Sequence, residues 1–91
     1  MSVDAEKIFP KRLGVMNGNT LVVEYYHLGK DKFKKHAIPV NFGGGKSALE
    51  EILKNPQHSS YLKKVDPAHI LDVIEGKENF AKKPVQNYSQ P

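Results

Sequence analysis

Cysteine is absent from this chain of 91 residues, which excludes disulfides and thiolate metal sites. No apolar run approaches the length of a membrane span, and the opening MSVDAEKIFP lacks the apolar centre of a signal peptide. The expected compartment is therefore cytosolic, nuclear or ciliary. There is no internal repeat and no heptad run. Like charges do not form blocks either, since the lysines stand singly or in pairs (Lys34–Lys35, Lys63–Lys64, Lys82–Lys83). That scatter argues against a strong nucleic-acid patch.

What remains is ordinary for one small globular domain, with 38% hydrophobic and 26% charged residues. The net charge of +4 suits acidic partners without selecting among DNA, RNA, an anionic membrane or a tubulin lattice.

Met1 to Pro10 has no stable period and reads as an extended N-terminal arm. KRLGVM is a weak strand that meets Asn17-Gly18, the pair best suited to the positive φ angles of a two-residue hairpin turn. NTLVVEYYHL is the strongest strand signal, rich in β-branched and aromatic residues. Leu21, Val23 and Tyr25 point to one side of it, expected to meet the helices, and Val22, Glu24 and Tyr26 point to the other. GKDK reads as a turn, and FKKHAIPV returns as a strand. Pro39 has no N–H to donate, so that end of the strand should lie at an edge or leave the sheet.

Three short helices follow. Ser47 and Glu50 have capping-box spacing ahead of the stripe Leu49, Ile52 and Leu53. Asn55-Pro56 and Asp66-Pro67 each combine a good cap with a proline suited to a first helical turn. Ile70, Leu71, Val73 and Ile74 give the last helix its buried face, and Gly76 is placed to end it. From Lys77 the pattern is lost. The expectation is an α+β domain over 11–76, a small antiparallel meander of two or three strands followed by three helices. Extended arms over 1–10 and 77–91 flank it.

The stretch NFGGGKSALEEIL resembles a phosphate loop but lacks its spacing. With Gly45-Lys46-Ser47 as its end, the motif requires glycine where Val40 stands. An antiparallel meander is also the wrong setting for it, so the glycines read as a strand-to-helix connector. The four histidines, His27, His36, His58 and His69, have no zinc-site spacing on one helix face. His27 and His36, on either side of the hairpin, would give only two imidazoles and a poor structural site, and surface or cap positions explain the four without a metal. No serine sits in a nucleophile-elbow pattern. The expectation is a non-enzymatic protein with no catalytic residues, no cofactor and no metal.

Two segments carry a resemblance. LVVEYYHLGKDKFKKHAIPV ends in Ile38-Pro39-Val40. ALEEILKNPQHSSYLKKVDPAHILDVIEG contains Asn55-Pro56, His58 and Ser60-Tyr61-Leu62 in order. Over about residues 20–76 this resembles the nineteen-kilodalton centrosomal and ciliary protein family. The resemblance implies a structural or adaptor protein of the cilium or flagellum, in the cytoskeleton at the centriole, basal body or axoneme. It implies a protein scaffold as partner and, for longer members, a Rab-like small GTPase that admits the intraflagellar transport machinery. Those members continue into a charged C-terminal half. Only a short tail follows Gly76 here, so scaffold docking carries over more directly than GTPase capture.

Candidate partner-binding residues are Asn55, Pro56, His58, Tyr61 and Leu62, with Phe80 and Tyr88 as anchors of a C-terminal strap. Helix punctuation also accounts for Asn55 and Pro56, and core packing for Tyr61 and Leu62. Neither demands His58, which a structural hydrogen bond would explain equally well. Alternatives are a soluble regulator that binds a small GTPase and, more distantly, a weak basic nucleic-acid-binding module, although no specific nucleic acid is expected.

Overall fold

The computed structural model describes residues 4–80, apart from the side chain of residue 42. Three antiparallel strands, β1 (Ile8–Met16), β2 (Thr20–His27) and β3 (Lys32–Pro39), form a meander in the order β1-β2-β3. A short 3-10 turn, Phe42–Gly44, leads to α1 (Lys46–Lys54), α2 (Pro56–Ser59) and α3 (Pro67–Ile74). This is the expected α+β arrangement. No helix among the described residues is long and apolar enough to cross a membrane.

The first strand begins earlier than the sequence suggests. Ile8 and Pro10 are buried within β1, so residues 8–10 belong to the sheet and not to an arm. The sequence signal fails here because the apolar positions change parity, from 8 and 10 to 13 and 15. A bulge resolves the mismatch. Pro10 pairs with Tyr25 and Arg12 with Glu24, leaving Lys11 as the extra residue. One inserted residue flips every later side chain to the opposite face, which brings Leu13 and Val15 back to the core side.

The first hairpin turns through Asn17 (φ 58°) and Gly18 (φ 71°), as the sequence predicts. Met16 pairs with Thr20, however, so the loop has three residues and not two. The helices cover one face of the sheet. Leu21, Val23, Tyr25 and Ile38 from the strands meet Leu49, Ile52, Leu62, Ile70 and Val73 in one continuous core. The α1 cap differs from the expected box. The helix starts at Lys46 behind Gly45, whose φ of 53° suits glycine, and no side chain caps it. Asn55 and Asp66 do cap α2 and α3, accepting from Gln57 N and Ala68 N.

Two tethers hold residues 5–9 and 78–80 to this body. The Lys64 ammonium donates to the carbonyls of Ala5 (2.9 Å), Glu6 (3.1 Å) and Ile8 (3.0 Å). It also lies 4.1 Å from the centre of the Phe9 ring. Burial pushes its pKa down, while the charges of Glu6 and Asp4 pull it back up. At the other end, the chain beyond α3 folds back along β1. Phe80 N donates to Leu13 O at 2.7 Å, and Asn79 Oδ1 accepts from Val15 N at 2.6 Å. The Phe80 ring lies over Gly14, with the Arg12 guanidinium 5.5 Å from its centre. His69 Nδ1 sits 2.6 Å from Glu78 Oε1, fastening the same segment to α3. Residues 77–80 thus pack on the domain, although the sequence assigns everything from Lys77 to an extended tail.

Candidate functional site

The end of β3 and the helices that follow enclose a cleft of about 320 Å³. Pro39 ends the strand, and Asn41 caps the 3-10 turn by accepting from Gly43 N at 3.2 Å. That turn swings α1 back across the strand end. Ile38, Pro39, Val40 and Asn41 form one wall. Ala48, Glu51 and Ile52 from α1, with Asn55 and His58, form the other. The lining combines the buried Ile38, Ala48 and Ile52 with the exposed Asn41, Glu51 and Asn55.

One side of the cleft is braced by an imidazole–phenol stack. His36 Nε2 and His58 Nδ1 are 3.0 Å apart, so one ring donates the shared hydrogen and the other accepts it. The Tyr61 ring stacks on His36 at 3.8 Å and 11°, and Tyr25 lies 5.1 Å from Tyr61 at 59°. Burial first, and then the neighbouring His58, hold His36 below the ordinary histidine pKa. Burial, with the Tyr61 phenol beside it, pushes Tyr25 up to about 12. Among the described residues, no group of three or more His, Cys, Asp or Glu side chains could hold a metal ion.

The structure brings only part of the predicted site together. Asn55 and His58 line the cleft, and Tyr61 supports His58 through His36. Pro56 occupies the first turn of α2 beside them. Leu62 is 2% exposed and belongs to the core. Phe80 lies apart on β1, and Tyr88 is outside the described residues.

His27 and His36 do not meet across the hairpin. The register pairs His27 with Lys32 and His36 with Val23, and His36 faces α2 instead. Its position was readable in part, since strand alternation sets it on the same face as Ile38. Glu51 and Asn41 were missed as lining residues because nothing in local sequence relates them to His58.

The chain matches no family model, no curated protein and no solved structure.

Proposed function

We propose that the protein is a non-enzymatic structural and adaptor component of the cilium or flagellum, acting at the centriole, ciliary base or axoneme. It docks on a protein scaffold through the cleft between β3 and the first two helices. One observation supports this reading. The two segments that carry the family resemblance both reach the same cleft, through Ile38, Pro39 and Val40 from one and Asn55 and His58 from the other. Helix punctuation alone explains Asn55 and Pro56 but does not require the strand end to meet them. Phe80 is engaged within the domain, so the cleft takes the anchoring role that sequence reading gives to a C-terminal strap.

A tagged copy expressed in a ciliated cell and followed through detergent and salt extraction tests the proposal. The expected result is ciliary or basal-body retention that is lost in Asn41→Lys/Glu51→Lys. Both side chains are exposed, and loss of the Asn41 cap should cost about 1 kcal/mol, so a melt shows that the variant remains folded. A diffuse wild-type distribution would reject the ciliary role. Retention that survives the double variant would reject the cleft as its basis.

A further inference from the structure

We propose that the outer edge of β3 is a docking site for an acidic, extended peptide, which joins the sheet as a fourth strand. This inference is independent of the cleft. Among the described residues β3 pairs only with β2, whereas residues 79 and 80 occupy the outer edge of β1. The strand carries Lys32, Lys34 and Lys35 and no carboxylate of its own. Glu24 on the neighbouring strand is held by Arg12 at 2.7 Å, with Lys35 at 3.9 Å. An approaching chain therefore meets an excess of positive charge along a row of backbone groups.

Lysines on an edge strand are also how proteins discourage pairing. Phe33 distinguishes the two cases. It stands between Lys32 and Lys34 and is 75% exposed, with Tyr26 against it in an edge-on contact at 5.2 Å. A large bare aromatic ring defeats the purpose of a guarded edge but gives an apolar residue of an added strand something to cover. Pro39 limits the site at its far end.

The same features select the occupant. A second copy pairing antiparallel about Phe33 and Lys34 would set Lys32 against Lys35, which is unfavourable across strands, and pairing along the whole strand would bring in Pro39, which has no N–H to give. A nucleic acid lying on the Tyr26–Phe33 face would pass close to Asp31, whose carboxylate accepts from the Tyr26 hydroxyl at 2.8 Å. That carboxylate repels phosphate. An acidic peptide at the edge avoids both conflicts.

The test uses the full chain and three fluorescein-labelled probes followed by anisotropy. They are a dodecapeptide of alternating glutamate and valine, the same peptide with proline at every third position, and oligothymidylate of matched length. The alternating peptide should bind, shift the amide resonances of residues 32–38, and lose at least about tenfold in affinity with Lys32→Glu/Lys34→Glu/Lys35→Glu. Phe33→Ser, which leaves the charges in place, should also weaken it. Equal binding of the proline-containing peptide would overturn strand addition. Tighter binding of oligothymidylate, or no peptide binding at about 1 mM, would overturn the proposal as a whole.

Discussion

Gly14→Ala should destabilise the domain, although the backbone there would tolerate alanine. A Cβ on Gly14 would fall 2.2 Å from Cδ2 and Cε2 of Phe80, far inside contact distance, so the ring has to leave. With it go the partial burial of the ring, about 1 kcal/mol, and an exposed cation–π contact with Arg12 of about 0.5 kcal/mol. The hydrogen bond from Phe80 N to Leu13 O contributes about 1 kcal/mol more. Two terms oppose the loss. Reduced freedom of the unfolded chain returns about 0.5 kcal/mol. Phe80, at φ 54°, also escapes a left-handed conformation that costs about 1 kcal/mol. The net is about 1 kcal/mol, or roughly 4–8 °C in Tm for a domain of this size. Urea and thermal melts of wild type, Gly14→Ala, Phe80→Ala and the double variant measure it directly. In the Phe80→Ala background Gly14→Ala should be neutral or slightly stabilising. Additive effects, or a Gly14→Ala protein more stable than wild type, would refute the claim that Phe80 is what keeps residue 14 a glycine.

Lys64→Met should cost about 1–3 kcal/mol by removing a charged donor from three carbonyls, and amide exchange at Ile8 should accelerate while that in α3 does not. Asn55→Ala should cost about 1 kcal/mol in urea through loss of the α2 cap. Stability should also fall on acidification. His36 in the folded protein binds its proton less readily than at the ordinary value of 6.5, so the unfolded chain takes up the proton first. The contribution is complete above about 6.5 and declines as pH drops below it. Urea midpoints at pH 7.5 and 5.5 should show the decline, and His36→Gln should reduce it; a midpoint that rises on acidification would contradict the assignment.

The meander and helices were legible because their signals are local. β-Branched and aromatic residues in β2, positive-φ residues at Asn17-Gly18, and Asn-Pro and Asp-Pro caps each act within a few positions. The Lys11 bulge was not legible, since a parity change looks like the absence of a strand. The roles of Lys64 and Phe80 depend on partners more than fifty residues away in sequence. Of the site, Asn55 and His58 could be named because their spacing resembled a family pattern. Their meeting with Ile38 and Val40 depended on how α1 crosses the sheet, and the His36–His58 contact on strand register as well.

The docking of Phe80 and Asn79 on β1 has a consequence for assembly. A sheet with two bare edges can grow from both sides and propagate into a fibre. Here one side is occupied by the Phe80 amide and the Asn79 side chain, and the other is rich in lysine. The sheet therefore has a valence of one. It can accept a single foreign strand, and a polymer spreading by edge pairing stops when it reaches this molecule.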